Sequence, residues 1–170
     1  MKIASNNTTA IFSGDAVIPL TTGYIGQATA FTVAMAGIFV GCKYLSTTQK
    51  RTVWSNYWPG TDATGDVTAY VVNDPNAQFV VQAGGTNVGF AKIGEYIQLN
   101  VGTGSTATGM SGMYVESPGT TVTLPFRVVD MVADPPGTNG TVITGTYNYV
   151  IVAFNNALTR TNGAGPTGLA

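Results

Sequence analysis

Short runs of β-branched and aromatic residues, separated by turn-forming residues, recur along this chain of 170 residues. Between the runs stand "YWPG", "NDPN", "QAGGTN", "ESPGT" and "DPPGTNG", in which proline fixes one backbone angle and glycine or asparagine permits a positive one. Nowhere does a long stretch show the apolar repeat of an amphipathic helix. The pattern predicts an all-β fold, an antiparallel β-barrel or β-sandwich, because strands this short and numerous pack in those two ways.

The same runs predict where the strands lie. They place strands at Thr8–Ser13, Ala30–Met35, Ile38–Tyr44, Val53–Tyr57, Thr68–Val72, Gln78–Gln82, Tyr96–Val101, Met113–Glu116, Phe126–Val132 and Tyr147–Phe154. A chain of this length is most simply a single domain. We expect residues 1–157 to form it, including a flexible N-terminal arm at about residues 1–14. Residues 158–170, rich in glycine, threonine and proline, are predicted to be a flexible C-terminal tail.

Charge is scarce in this sequence. Charged residues make up 9% of the chain, against roughly 25% in an ordinary soluble protein. A neutral surface suits a chain that lies against other subunits, because little charge has to be desolvated on contact. The net charge of −1 gives no basic footprint for nucleic acid. No membrane helix is expected either, because the most apolar segment, residues 28–42, is too short and is broken by Gly37 and Gly41.

The residue types for common catalytic sites are missing or scattered. Histidine is absent, which removes the Ser-His, Cys-His and His-ligand zinc arrangements, and the single Cys42 cannot form a disulfide within the chain. Carboxylates remain, and a pair such as Glu95 and Glu116 is the arrangement a glycan-cleaving enzyme would need. Nothing in the sequence brings two such groups together. We therefore expect no enzymatic activity, no catalytic residues and no cofactor.

Two turns carry oxygen ligands that calcium could use. "TDATGD" supplies Asp62 and Asp66, and "VNDPN" supplies Asn73 and Asp74. Neither approaches the ligand spacing of a complete calcium loop. Turn residues that bind their own backbone are the simpler interpretation, and no metal site is predicted.

Both tryptophans lie in "RTVWSNYWPG". In a strand at Val53–Tyr57, Trp54 most simply fills the core, since large aromatic side chains dominate core energetics. Trp58, at the turn, is better placed in a protein interface together with Tyr57 and Pro59, because Trp and Tyr are common interface anchors. Stacking on a sugar is a third possibility.

The order of motifs resembles a known family. The stretches "MAGIFVGCKYLSTTQKRTVWSNYWPG", "DVTAYVVNDPNAQFVVQA", "TGSTATGMSGMYVES" and "LPFRVVDMVADPPG", followed by "YNYVIVAFNNA", are similar to head decoration (cement) proteins and other small virion structural proteins of tailed bacteriophages. The resemblance spans residues 35–157. It departs from the expected pattern at "TGMSG", where Met110 stands in place of a basic residue.

The resemblance implies a structural role on the outside of the phage head. Such a protein binds the expanded icosahedral shell, bridges subunits of the major capsid protein and stabilises the shell against internal DNA pressure. It also implies contacts with other copies of the chain, as a dimer or trimer, and assembly in the host cytoplasm. The predicted contact residues are Ile11, Phe12, Tyr57, Trp58, Pro59 and Met110. Met110 would supply an apolar contact at its position.

Two other functions stay open. One is a carbohydrate-binding or host-surface-binding β module of a tail or fibre, which would need an aromatic platform with hydrogen-bonding groups beside it. The other is a tail structural subunit that polymerises by itself.

Overall fold

The computed structural model describes residues 1–29, 34–132 and 146–158, which form two antiparallel β-sheets and one short 3₁₀ helix at Phe90–Lys92. The predicted all-β fold is confirmed. Of the two architectures considered, the barrel is wrong, because neither sheet closes on itself. The strands are β1 (Lys2–Ile3), β2 (Ala16–Pro19), β3 (Ile25–Gln27), β4 (Gly37–Leu45), β5 (Thr52–Ser55), β6 (Val67–Val72), β7 (Gln78–Gln82), β8 (Tyr96–Asn100), β9 (Tyr114–Gly119), β10 (Phe126–Met131) and β11 (Tyr149–Phe154).

The strands divide between the sheets by their order in the chain. Sheet 1 has six strands in the order β1-β6-β4-β2-β3, with β5 paired to β4 as well. Sheet 2 has five strands in the order β7-β11-β10-β8-β9. One isolated bridge, between Ala83 and Val115, brings the two edges of sheet 2 together at one end without closing the sheet.

The main core lies between the two sheets. Sheet 1 contributes Ala16 and Ile18, and sheet 2 contributes a larger set of aliphatic and aromatic side chains. That set is Ile97, Leu99, Val115, Phe126, Val128, Val150, Val152 and Phe154. Phe154 stacks on Phe126 and meets Phe79 edge to face, at ring-centroid distances of 5.6 and 5.2 Å. This aromatic group fixes β11 against its neighbours.

A second apolar cluster covers the other face of sheet 1. It combines strand residues such as Val17 and Phe39 with Ile3, Ile11 and Trp58 from outside the central strands. The predicted flexible arm at residues 1–14 is therefore wrong. Ile3 and Ile11 are fully buried, and Lys2–Ile3 pairs with β6, because this face of the sheet would otherwise be exposed to water. Of the predicted C-terminal tail, only Leu158 lies within the described residues.

Eight predicted strands, which correspond to β4 through β11, are found near their expected positions, with small shifts at their ends. β1, β2 and β3 were not predicted. The predicted strand at Thr8–Ser13 contains only two isolated bridges, from Ile11 to Trp58 and from Ser13 to Met110. The prediction at Ala30–Met35 falls mostly on residues 30–33, which lie outside the described residues.

A β-bulge in β4 sets which side chains share a face. The register with β6 shifts between Phe39 and Gly41. Gly41 has φ of 153°, and a Cβ there would lie 2.9 Å from the carbonyl oxygen of Ser55, so the position favours glycine. The extra residue, Val40, is 45% exposed, and beyond the bulge Lys43 faces solvent.

Candidate functional site

Four of the six predicted contact residues meet one another in two pairs, and a fifth, Met110, lies beside them. Ile11 and Trp58 exchange backbone hydrogen bonds of 3.0 and 2.7 Å. Phe12 and Tyr57 stack with centroids 5.5 Å apart. The next residue along the chain, Ser13, bridges to Met110. Residues that the sequence predicted in two separate contact regions thus form one junction within the chain.

Burial separates this junction into an inaccessible part and an accessible part. Trp58 and Ile11 are fully buried and Phe12 is 8% exposed, so the prediction that these three contact another protein is wrong for this conformation. Trp58 meets Tyr44 edge to face at 5.3 Å. The other three predicted residues stay candidates for contact: Tyr57 and Pro59 are partly buried, and Met110 is 55% exposed.

Trp54 has the opposite environment to the one predicted. It is 65% exposed, so its placement in the core is wrong. Its ring stacks on Tyr70, with centroids 5.6 Å apart and planes 9° from parallel, and the Lys43 Nζ lies 4.8 Å from the Trp54 ring centroid. β5 and β6 lie on either side of β4, so the two rings meet across that strand. Lys43, Trp54 and Tyr70 are called the aromatic platform below.

The end of β5 explains why the two tryptophans differ. In a strand continuing to Tyr57, residues 54 and 58 would have the same parity and face the same side. The strand ends at Ser55, and the side-chain amide of Asn56 donates a 2.7 Å hydrogen bond to the carbonyl of Thr108 in a distant loop. The chain therefore leaves the sheet, and Trp58 packs on the face of sheet 1 opposite to Trp54.

The aromatic platform lies on the same face of sheet 1 that packs against sheet 2. Residues paired across neighbouring strands point to the same face of a sheet, and Ile38 pairs with Ala16 on one side and with Val72 on the other. Tyr70 lies two residues before Val72 in β6, so it points to that face as well. Ala16 is in the core and Ile38 packs against it, whereas Tyr70 is 39% exposed. Sheet 2 thus covers one end of this face and leaves the other end open.

The candidate calcium ligands are bound to neighbouring groups. Asp62 accepts hydrogen bonds from the hydroxyls of Ser46 and Thr47 and from the backbone N–H of Thr48, at 2.6 to 2.9 Å. These hydrogen bonds stabilise the charged carboxylate and so lower the pKa of Asp62 below its usual range. The bond from Ser46 has the largest effect. Asp66 instead accepts a bond from the Tyr24 hydroxyl, which raises the pKa of Tyr24.

The other carboxylates that were considered as ligands or catalytic groups, Asp74, Glu95 and Glu116, are each bonded to a different partner. Asp74 accepts from the backbone N–H of Asn76 at 2.8 Å, as expected of a turn residue. Glu95 pairs with Lys92 at 3.0 Å, and Glu116 accepts from the Gln98 amide at 3.3 Å. Among residues 1–29, 34–132 and 146–158, no three His, Cys, Asp or Glu side chains are grouped to hold a metal ion.

Asp15 is a structural residue that the sequence did not single out. It is 1% exposed, and its carboxylate accepts hydrogen bonds from the Phe12 backbone N–H, the Gln27 amide and the Ser111 hydroxyl. These partners come from three separate parts of the chain. Asp15 therefore holds the junction of Ile11, Phe12, Tyr57, Trp58 and Met110 to sheet 1 and to the loop before β9.

No family model, curated protein or solved structure matches this chain.

In the described part of the chain, no helix has the length and apolar character needed to cross a membrane. The single cysteine, Cys42, is buried in the second cluster, and burial raises its pKa to about 12. Of the large apolar side chains on sheet 1, Trp54 of the aromatic platform has the largest exposed fraction.

Proposed function

We propose that this protein is a non-enzymatic decoration protein of a bacteriophage head. It binds the outer surface of the expanded shell, bridges subunits of the major capsid protein and stabilises the shell against the pressure of the packaged DNA. The proposal combines the sequence resemblance over residues 35–157 with one structural observation, the aromatic platform.

The platform has the properties of a preformed protein contact. Trp54 exposes most of its surface, yet its ring is held by Tyr70 and Lys43 on a paired β-sheet, so little side-chain freedom is lost on binding. Leu45 is 46% exposed, and its place two residues after Lys43 puts it on the same face. Exposed aromatic side chains that are already ordered are typical of residues that dominate interface energies.

The low charge of the chain favours the same function. Lys43 is the one charged member of the platform, and its ammonium already lies over the Trp54 ring. The described residues contain two ion pairs, Lys2 with Asp66 and Lys92 with Glu95. Contact with another protein would therefore desolvate few charges. Because many copies bind one shell, contacts that are each weak can together stabilise the shell strongly.

The geometry favours a protein partner over a sugar. Tyr70 stacks on one face of the Trp54 ring, so at most the other face is open for a sugar to stack on. The polar residues beside the platform on this face of the sheet are Thr52 and Thr68, and no carboxylate or amide side chain lies on the neighbouring positions of β4, β5 and β6.

Binding to shells tests the proposal. Purified protein is mixed with expanded phage heads assembled without it, the heads are sedimented, and the temperature at which they release DNA is measured. We expect stoichiometric binding and a raised release temperature. Trp54→Ala should abolish most of this binding. Phe90→Ala, which removes an aromatic ring that is 72% exposed on the 3₁₀ helix, is the matched control and should bind like the wild type.

Other results would reject the proposal. Wild-type protein that does not bind the shells would exclude decoration. Binding that is unchanged by Trp54→Ala would show that the platform is not the contact. Saturable binding to glycans that is lost in Trp54→Ala would favour the carbohydrate-binding function, and growth of the purified protein into long polymers would favour a tail subunit.

A further inference from the structure

A groove lies where the two edges of sheet 2 meet. Ala83, just after β7, bridges to Val115 in β9, and the N–H of Gly84 donates a 2.8 Å hydrogen bond to the Val115 carbonyl. The ring of Tyr114 lies against Gly84, in the space that a side chain would fill. Beside this junction the groove has a volume of about 770 Å³. That volume is within the range of roughly 300–1,000 Å³ that is typical of ligand sites.

The register of the strands explains which side chains line the groove. Tyr149 in β11 is opposite Gln82 in β7, and both point to the outer face of sheet 2, because the residues next to them point into the core. In β9, Val115 is in the core, so Tyr114 and Glu116 on either side of it point outward. The junction of the two edges therefore brings outer-face side chains of β7, β9 and β11 together around one groove.

Three tyrosines line the groove: Tyr114, Tyr147 and Tyr149. Tyr147 is 61% exposed and Tyr149 is 46% exposed. Tyr147 also has φ of 66°, a left-handed conformation that is unfavourable for a bulky side chain. Residues held in such conformations at a cost in stability cluster at ligand-binding sites. Because the exposed Tyr147 ring adds little to the core, its strained position is better explained by binding than by folding.

Two polar side chains beside the tyrosines are held in place. The Gln98 amide donates to Glu116 Oε1 at 3.3 Å, and Glu116 Oε2 is directed towards Gly85 on the wall of the groove. The Gln82 amide donates to the Tyr147 carbonyl at 3.4 Å, and its side-chain oxygen can still accept a hydrogen bond. Among the described residues that line the groove, Glu116 is the one charged side chain. The groove thus offers ordered hydrogen-bond acceptors next to aromatic rings.

We propose that a neutral oligosaccharide binds in the groove formed by Tyr114, Tyr147, Tyr149, Gln82 and Glu116, called the tyrosine groove below. The C–H face of a sugar ring packs on a tyrosine ring, which removes apolar surface from water. The sugar hydroxyls donate to the oxygens of Glu116 and Gln82. An acidic ligand is disfavoured, because no lysine or arginine among the described lining residues offsets the charge of Glu116. The inference does not depend on the proposed function, since this groove lies on sheet 2 and the aromatic platform lies on sheet 1.

The polar groups favour a sugar over a peptide. Proline-rich peptides are the other ligands that aromatic-lined grooves commonly bind. Such a peptide presents backbone carbonyls and, at each proline, no N–H. The carboxylate of Glu116 and the side-chain oxygen of Gln82 are acceptors, so they cannot bond to those carbonyls. Sugar hydroxyls supply the donors that both groups need.

Calorimetric titration tests the proposal, with neutral trisaccharides of glucose, galactose, mannose and N-acetylglucosamine as the probes. We expect saturable binding of at least one of them. Tyr149→Ala should raise its dissociation constant by about tenfold, because a ring that stacks on the sugar is lost. Tyr70→Ala is the matched control, since Tyr70 is a tyrosine of similar exposure, 39%, on the aromatic platform. This control should bind the sugar like the wild type.

A second variant tests the role of the carboxylate. The wild type should bind a neutral trisaccharide more tightly than a trisaccharide of the same linkage that carries a uronic acid. Glu116→Gln removes the charge and keeps a side-chain oxygen that can accept the bond from Gln98. The preference for the neutral sugar should shrink in this variant. A Glu116 that served only to hold β9 in place would leave the preference unchanged.

A third variant separates binding from folding. Tyr147→Gly removes the ring and places glycine at a positive φ, where it is unstrained. We expect weaker sugar binding together with a denaturation midpoint that does not fall. A lower midpoint with unchanged sugar binding would assign Tyr147 to folding.

The following results would overturn the proposal. The absence of saturable binding to every trisaccharide of the panel would exclude a neutral oligosaccharide as the ligand. Binding that is unchanged in both Tyr149→Ala and Tyr147→Gly, or that is lost in Tyr70→Ala, would place the sugar outside the tyrosine groove. A proline-rich peptide that binds more tightly and displaces the sugar would make the groove a peptide site. If Tyr149→Ala fails to fold, as judged by circular dichroism, the Tyr147→Gly result decides.

Discussion

Trp54 and Trp58 are separated by three residues, yet they belong to two different regions of the molecule. Trp58 is fully buried among Ile11, Tyr44 and the second apolar cluster, whereas Trp54 is 65% exposed on the aromatic platform. The residue type is the same and the local sequence is shared. The difference arises because β5 ends at Ser55 and the chain then crosses to the other face of sheet 1. Residue type alone therefore does not separate a core aromatic from a contact aromatic.

The comparison also separates stability from binding. The region around Trp58 joins the N-terminal segment to sheet 1, so changes there should act on folding. The aromatic platform is supported by strands that are paired without it, so changes there should act on recognition. The four predictions that follow test this division, from the largest expected loss of stability to the smallest.

Trp58→Ala should cause the largest loss of stability. Removing a fully buried indole leaves a cavity that the surrounding side chains cannot fill, and such changes cost about 3 to 5 kcal/mol. Denaturant unfolding followed by circular dichroism measures this loss. Trp58→Phe keeps an aromatic ring and should lose clearly less. A wild-type-like midpoint for Trp58→Ala would contradict the assignment of Trp58 to the core.

Asp15→Ala should come second. The substitution leaves the buried Phe12 N–H without its acceptor and releases Gln27 and Ser111, so we expect a loss of about 3 kcal/mol. The same unfolding measurement applies. Asp74→Ala removes a carboxylate from an exposed turn and serves as the control, with a much smaller effect expected. Equal losses in the two variants would show that the junction does not depend on Asp15.

Trp54→Ala should barely change stability, with a loss of about 1 kcal/mol or less, because it removes one exposed stacking and cation–π contact. The same variant is expected to lose most binding to phage shells. Near-normal unfolding together with lost binding would show that Trp54 acts in recognition, in contrast to Trp58, which acts in folding. A large loss of stability would place Trp54 with Trp58 as a folding residue.

The smallest effect should appear in the pH dependence of the turn held by Asp62. Its pKa is lower in the folded chain than in the unfolded chain, so its contribution to stability is present above about pH 4 and is lost as the pH falls further. In thermal melts, Asp62→Asn should lower the melting temperature at pH 7 slightly and should flatten its decline in acid. If the melting temperature of the variant falls in acid as steeply as that of the wild type, Asp62 does not contribute to the loss of stability at low pH.

Sequence reasoning predicted local features well and contacts between distant segments poorly. The limits of β7, at Gln78–Gln82, agree with the prediction because a turn with Asp74 and Pro75 precedes it and two glycines follow it soon after. Ile11, Phe12, Tyr57 and Trp58 were predicted as contacts with other proteins, and their packing against one another was not predicted. The platform was missed, because Lys43, Trp54 and Tyr70 come together only through the register of three strands.

The sequence by itself determined the class of this fold. Its β-branched runs, its glycine and proline turns and its lack of histidine and charge are local or compositional properties, and these specify strands, turns and a neutral surface. The tertiary structure decided which aromatic side chains are buried and which are exposed. Those outcomes depend on where β5 leaves sheet 1 and on how far sheet 2 extends over it, and both are set by pairing between residues far apart in the chain.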